Sequence, residues 1–339
     1  MNNNHNVNMS LPLVSIICLT YNQEEYVRQT LESLLMQRTS FPFEIIIHDD
    51  ASTDDTKIII EQYVEEFSHI IKPIYQYENK YSVYGISFQY KYVFSKAKGK
   101  YIAMCAGDDF WIDPLKLQKQ VDFLENNSDY GLVHTKAAIF NEAKKEFEGC
   151  HGFEVNSFES LLNENAVAAL TVCLRSNLLW QYLEEVKPEE HEKWTAEDFP
   201  TWLWFMQNSK FEFIEDITSV YRKRAESISH VQDDFKRLHF AEGIYDIVNY
   251  YLCKYAEKVT SAKKIRARYY SGMINTYFLN KKWSGISKSA KIFYDANDWL
   301  NLMWILLTMP FFYSKLFVNG SYRIRSLVFD IFNIYPIRK

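Results

Sequence analysis

Five cysteines in 339 residues are few, odd in number and far apart: Cys18, Cys105, Cys150, Cys173 and Cys253. Such a count argues against a disulfide framework and for free thiols, mostly in apolar contexts, in a reducing compartment. No Cys or His pair falls at zinc-site spacing, and "EEHEKW" around His191 is not an HExxH arrangement. No Lys/Arg block dense enough to follow a phosphate backbone precedes the C-terminus, and the net charge is −5, so nucleic acid is not an expected partner. The opening "MNNNHNVNMS" lacks an apolar run, so residues 1–10 read as a disordered leader and not an export signal, which points to the cytoplasm.

Aromatic residues and alternating strand and helix signals are what the chain does hold. Tyr and Phe number 24 each, enough for ring-stacking platforms or an interfacial surface, and composition does not choose between them. "LVSIICL" (13–19) is a continuous apolar, β-branched run ended by the polar "TYNQEEY", the pattern of a strand buried on both faces. Tyr26, Val27, Leu31, Leu34 and Leu35 then recur at helical spacing between Glu24 and Met36. "FEIIIHDDAST" (43–53) predicts a second strand running into acids, with Ser52 or Thr53 capping the helix in "TKIIIEQYVEEF". "IKPIYQYE" predicts a third strand, "GISFQYKYVFSKAKG" a helix ending near Gly99, and "KYIAMCAG" a fourth strand. This alternation predicts a doubly wound α/β unit.

Ligands of such sheets bind beyond the carboxyl ends of the strands. "TYN" ends the first strand, "HDD" the second, and "GDD" the fourth, so three polar clusters distant in sequence are predicted to share one rim. Asp108 and Asp109 stand side by side there. Two adjacent anions repel and need water, a hydrogen-bond network or a cation to absorb their charge; taken alone, a solvated turn explains them as well. In "KWTAEDFPTWLWF", Glu197 and Asp198 precede a helix start near Pro200, where an aspartate can cap the helix or act as a base.

Four stretches in order, "VSIICLTYNQEEYVRQTLESLLMQ", "FEIIIHDDASTDDT", "AKGKYIAMCAGDDFWIDPLKLQKQVDFL" and "WTAEDFPTWLWF", resemble the inverting glycosyltransferase family 2, over roughly residues 12–225. The resemblance implies an α/β fold: a GT-A-type, doubly wound, Rossmann-like mixed sheet over 11–230, with a C-terminal helical extension over 231–339. It implies transfer of one sugar from a nucleotide-diphosphate donor, UDP-linked, to a glycan acceptor, lipid-linked, in surface polysaccharide assembly. Thr20, Tyr21, Asn22 and Glu24 would then line the donor pocket, Asp50 would hydrogen-bond the pyrimidine, Asp108 would sit by the ribose, and Asp109 would hold Mg²⁺ or Mn²⁺ on the diphosphate. Lys91, Arg222 and Arg224 are the phosphate candidates, Asp198 the base and Glu197 its neighbour on the acceptor side. Trp111 is an acceptor platform or a packing anchor, Asp113 caps the following helix, and His134 and His230 are more simply structural. The sequence departs from the family pattern at Leu19, where Pro is usual, and at Ala106, which occupies the first place of an Asp-x-Asp motif and predicts a thin metal shell. A Gly, Arg and Asn stretch before the last strand is replaced by Gly85 followed by Gln89, Tyr90 and Lys91.

The chemistry suits those residues. A departing diphosphate gains charge that a hard cation can offset, and an acceptor hydroxyl must lose a proton to a placed carboxylate. Beyond about Gln232 the chain turns helical, basic and aromatic. "WLNLMWILLTMPFFYSKLFV" (299–318) nears the length of a membrane span but is interrupted by Asn301, Pro310 and Lys315. It predicts an interfacial helix at the inner membrane face, with a core helix pair broken at Pro310 as the alternative. An oligomer is compatible with either. The Gln-x-x-Arg-Trp signature of processive members is not visible, so a single addition per encounter is expected. A non-catalytic nucleotide-sugar-binding or assembly protein of the same fold is the main rival. A sugar nucleotidyltransferase is weaker, since "TYNQEEY" lacks a Gly-rich phosphate loop.

Overall fold

The computed structural model describes residues 11–224, 233–279, 282–298 and Leu302. The leader, His230 and the 299–318 segment (apart from Leu302) therefore lie outside the described residues. The chain divides into two compact units, 1–230 and 231–339.

The first unit is built on a nine-stranded mixed sheet. In chain order its elements are β1 (Val14–Thr20), α1 (Val27–Leu35), β2 (Phe43–Asp49), α2 (Thr56–Phe67), β3 (Ile71–Tyr75), α3 (Lys80–Tyr84), α4 (Phe88–Tyr92), β4 (Tyr101–Met104), β5 (Phe110–Trp111) and α5 (Lys116–Asn126). There follow β6 (Tyr130–Asn141), β7 (Glu146–His151), α6 (Phe158–Asn163), β8 (Cys173–Arg175), α7 (Ser176–Val186), α8 (Asp198–Asn208) and β9 (Lys210–Lys223). The strand order is β3-β2-β1-β4-β8-β6-β9-β5, with β7 on β6. Strands β1 to β4 run parallel, whereas β8 is antiparallel to both its neighbours. Because β1 is flanked by β2 on one side and by β4 on the other, the order reverses at its carboxyl end and leaves a crevice there.

The apolar runs end up where their patterns place them. Ile16, Cys18, Ile45, Ile47 and Ala103 form one core with Leu31 and Leu34 from α1 and Leu117 and Val121 from α5. Burying each large aliphatic side chain contributes roughly 1.5–3 kcal/mol before entropy is counted. All five cysteines are free; Cys18, Cys105 and Cys173 are buried, Cys150 and Cys253 exposed.

Two expectations from the sequence are corrected. The helix predicted over "GISFQYKYVFSKAKG" is three short pieces, a turn at Gly85–Ser87, α4, and a turn at Phe94–Lys96, with the break at Val93, whose φ of −114 and ψ of −59 depart from helical values. Trp111 is an anchor and no sugar platform: it is 1% exposed, and its Nε1 donates to the Leu170 carbonyl at 2.9 Å. Above the Trp111 ring, 4.2 Å from its centroid, sits the Nζ of Lys116, itself fully buried and hydrogen-bonded to Gln120 Oε1 at 2.8 Å.

In the second unit, α9 (Asp234–Lys254), α10 (Ala262–Leu279) and α11 (Trp283–Asp295) share a core of Leu238, Tyr245, Tyr270, Met273, Tyr277, Ile286 and Phe293. Asp233 caps α9 by accepting the Lys236 N–H at 2.8 Å. No helix among the described residues is long and apolar enough to cross a membrane.

Lys116 generates a stability prediction. Burial lowers its pKa to about 8, so below that pH the fold carries the cost of charging a buried amine, and stability rises with pH toward the unfolded value of about 10.4. Lys116→Met should therefore stabilise the protein at pH 7 by about 1–3 kcal/mol. Chemical denaturation at pH 7 and pH 10.5 checks this, with the gain confined to the lower pH.

Candidate functional site

The carboxyl ends of β1, β2 and β4 bring the polar clusters to one rim. Thr20 ends β1 with its hydroxyl donating to the His48 carbonyl at 2.9 Å. Asn22 has φ 50 and accepts the Thr53 N–H on Oδ1 at 2.8 Å, while its own N–H donates to Ser52 Oγ at 2.9 Å. Glu24 Oε2 takes the Asp55 N–H at 2.8 Å. Thus neither Ser52 nor Thr53 caps α2: Glu24 from the β1 loop and Asp54, which accepts the Thr56 N–H at 3.0 Å, satisfy the first donors of that helix. Tyr21, 45% exposed, is left on the open side of this loop.

Asp50 is buried, and its two oxygens accept the N–H groups of Lys80 at 2.7 Å and Tyr81 at 2.8 Å. The carboxylate expected to meet a pyrimidine thus also latches the start of α3 against the rim, with a second lone pair left on each oxygen. Lys91, on α4, points elsewhere. Its ammonium lies 5.0 Å from the Tyr84 ring and 5.2 Å from that of Tyr92, on the exposed side of α4. From the same helix Gln89 and Tyr90 turn inward to a cavity.

The aspartate pair sits behind Gly107, where a Cβ would overlap Gln23 Oε1 and Thr20 Cγ2. Asp109 Oδ1 accepts the backbone N–H of Arg222 at 2.8 Å, and Arg224 Nε lies 3.1 Å from Asp108 Oδ2. Thr30 Oγ1 stands 2.8 Å from the Gly107 carbonyl and 2.7 Å from that of Asp109. Both guanidinium groups stack on Tyr26, at 5.1 Å for Arg222 and 5.0 Å for Arg224, and Arg222 hydrogen-bonds Gln29. Tyr26 and Gln29 are site residues that the sequence did not reveal; only contact across the fold shows them. Burial raises the Asp108 pKa, against the pull of Arg224, and burial followed by the charge of Asp108 pushes Asp109 well above the carboxylate range.

The third cluster lies at the start of α8, which begins at Asp198 and not at Pro200. Asp198 is the first residue of α8, and its Oδ1 accepts the Phe199 N–H at 2.6 Å, while Glu197 holds the cap position without a side-chain hydrogen bond there. Asp198 and Glu197 line a cavity of about 80 Å³ with Gln89, Tyr90, Leu19 and Ala106, so they share a wall with the ends of β1 and β4. Burial, then the neighbouring Glu197, brings the Asp198 pKa up to about 7, and burial raises Glu197. Asp113 accepts the Leu115 N–H at 2.8 Å ahead of α5. His134 is buried away from this rim on β6. Among the described residues no group of three His, Cys, Asp or Glu is placed to hold a metal by itself. The donors present, the Asp108 and Asp109 carboxylates, are hard oxygens whose anionic forms are disfavoured by burial. They suit a cation whose shell substrate phosphate completes.

Residues 15–166 match the sequence profile of "Glycosyl transferase family 2". An uncharacterised protein of Mycobacterium tuberculosis is 32% identical over 222 residues, covering 64% of this chain and 60% of its own length. The chain thus spans about 60% of that relative. The putative teichuronic acid biosynthesis glycosyltransferase TuaG of Bacillus subtilis is 27% identical over 70% of this chain and 94% of its own. In fold, the chain is similar to S. aureus TarS 1–349 in complex with UDP-GlcNAc, with a TM-score of 0.59, 17% identity, and coverage of 88% of this chain and 91% of that one.

The charge balance at Asp109 is testable without any ligand. A raised acid favours folding while protonated and loses that advantage as pH rises from the ordinary carboxylate range to its folded value. Asp109→Asn keeps the acceptor for the Arg222 N–H and removes the charge. Its melting temperature should exceed that of the parent at pH 8 and equal it at pH 4; an equal or lower value at pH 8 contradicts the assignment.

Proposed function

This chain belongs, through residues 15–166, to glycosyl transferase family 2, and from that premise we propose that it transfers one sugar, with inversion, from a nucleotide-diphosphate donor to a glycan hydroxyl. The observation that carries the reading is Asp198: a carboxyl at a helix start, facing a cavity walled by the strand ends, with its pKa at about 7. A base with that pKa is half deprotonated at neutral pH and matched to accept a proton there.

In this reading the open rim of Tyr21, Asn22 and Asp50 takes the nucleoside, a pyrimidine, which makes UDP the favoured carrier. Thr20 and Glu24 support that loop from behind. The cavity of about 80 Å³ is too small for a whole nucleotide sugar and receives only the reacting end of donor and acceptor. Asp198 accepts the acceptor hydroxyl proton on the side away from the diphosphate, and Glu197 orients that hydroxyl. Apolar walls from Ile17, Leu19 and Met104 keep water from competing. Asp109, with Asp108, would hold Mg²⁺ or Mn²⁺, which when bound supplies positive charge for the leaving diphosphate. Arg222 and Arg224, already at the aspartate pair, are the phosphate candidates on that side, and Lys91 is a weaker one because it faces Tyr84 and Tyr92. The name of TuaG supports a cell-surface polysaccharide as acceptor. A lipid-linked form, approached at the inner membrane face through the C-terminal helices, completes the proposal.

Transfer should rise with pH through about 7 as Asp198 deprotonates. Asp198→Asn should lower kcat about 10²–10⁴-fold with UDP affinity retained. Radiolabelled transfer from a panel of UDP-sugars, measured against pH with and without Mn²⁺, checks both. Undiminished transfer by the variant removes the base, and calorimetry showing no Mn²⁺-dependent UDP binding favours the non-catalytic rival.

A further inference from the structure

The second unit differs in charge from the chain as a whole. The full sequence has more acids than bases, 43 against 38, yet from Lys258 to Tyr294 it has nine Lys or Arg and no Asp or Glu. That run holds all of α10 and all of α11 except its last residue, Asp295. Its cations therefore have no acid within the run to pair with, and compensation has to come from outside it. Lys282 finds some in Glu242 of α9, at 3.7 Å.

Packing gathers these cations on the outside. Tyr270, Met273 and Tyr277 of α10 and Ile286 and Phe293 of α11 turn into the core, while Lys258, Lys263, Lys264, Arg268, Lys288 and Lys291 are exposed. A short connection makes α10 and α11 antiparallel neighbours. Lys288 Nζ lies 5.5 Å from the Tyr245 ring and 5.6 Å from that of Tyr270, so Lys291, a turn further on, falls toward the start of α10, where Lys263 and Lys264 stand. Lys263 and Lys264 enter no ion pair or ring contact among the described residues. Arg266 is half-buried and ties the same end of α10 to α9, its Nε donating to Asn249 Oδ1 at 3.1 Å.

Charge and rings together define the partner. Cations spread over two helices and the α9–α10 turn form an exposed patch, which matches a surface of many anions better than a single enclosed ion. At the turn the ammonium groups of Lys254 and Lys258 lie 5.7 Å and 5.3 Å from the rings of Tyr250 and Tyr255. Tyrosine beside lysine is a pairing suited to the headgroup level of a bilayer, the ring toward the acyl boundary and the charge toward water. The sequence then runs on from α11 into the apolar stretch 299–318. Attachment of helices to a bilayer scales with apolar burial plus attraction to anionic lipid, and this part of the chain has the residues for both.

We propose that the exposed basic surface of α10, α11 and the α9–α10 turn docks on a membrane rich in anionic phospholipid. That this membrane carries the acceptor rests on the transferase reading; the docking itself does not. Sedimentation of the full chain with vesicles of phosphatidylcholine, alone or mixed with phosphatidylglycerol, tests it. The protein should pellet with the mixed vesicles only, and should be released as salt rises from about 0.1 M to about 1 M, where the screening length shortens from about 10 to about 3 Å. Each cation near such a surface is worth about fivefold in affinity, so Lys263→Glu with Lys264→Glu should weaken binding at least about 25-fold. Should that variant not fold, Lys258→Gln with Lys291→Gln, expected to lose a similar factor, decides alone. No binding, equal binding to phosphatidylcholine, indifference to salt, affinity untouched by the folded double variant, or a preference for poly(U) RNA over the mixed vesicles overturns the proposal. Vesicle binding by a protein that neither binds UDP nor transfers sugar leaves the docking surface standing and removes only the transferase reading.

Discussion

Two like charges held at the dry end of β4 are the constraint around which the first unit is arranged. Asp108 and Asp109 are separated from β4 by three residues and are largely withdrawn from solvent, so water does little to quiet their repulsion, and the fold supplies the compensation from far along the chain. The end of β9 delivers a backbone N–H and two guanidinium groups, and α1 delivers Tyr26 as the surface on which both guanidiniums rest. The compensation is incomplete, since both acids remain shifted upward. An imbalance of this kind costs stability and is characteristic of sites prepared for a charged ligand.

The latch at Asp50 follows the same logic on a different scale. A carboxylate that binds two backbone N–H groups fixes the first turn of α3, and α3 and α4 then carry Gln89 and Tyr90 to the cavity beside Asp198. Asp50 and the cavity beside Asp198 are thus linked through one short run of chain. Movement of that run on ligand binding would alter both at once.

Strand identity was legible because the apolar runs are continuous and end abruptly in acids; the order of polar clusters then followed from the topology of wound sheets. The positions of Asp108, Asp109 and Asp198 in the fold were legible for the same reason, each lying near an element boundary. What was not legible depends on partners distant in sequence. Glu24 caps a helix thirty-one positions away, an interaction that local capping rules, which pointed to Ser52 or Thr53, do not contain. Trp111 carries no local sign that the buried Lys116 and the Leu170 carbonyl will claim its ring and its N–H. The break of the helix at Val93 has no Gly or Pro to announce it in the segment.

Ala106 is intelligible in these terms. It occupies the place where a first acid would stand in an Asp-x-Asp motif, and it lines the same cavity as Glu197 and Asp198. A third carboxylate there would face two acids already raised by burial. Like charge would lift Asp198 above about 7 and hold it protonated at neutral pH, which would silence it in the proposed role of base. It would also add to the load that Arg222 and Arg224 already meet only in part. The small apolar side chain adds no charge to the wall that it shares with Glu197 and Asp198.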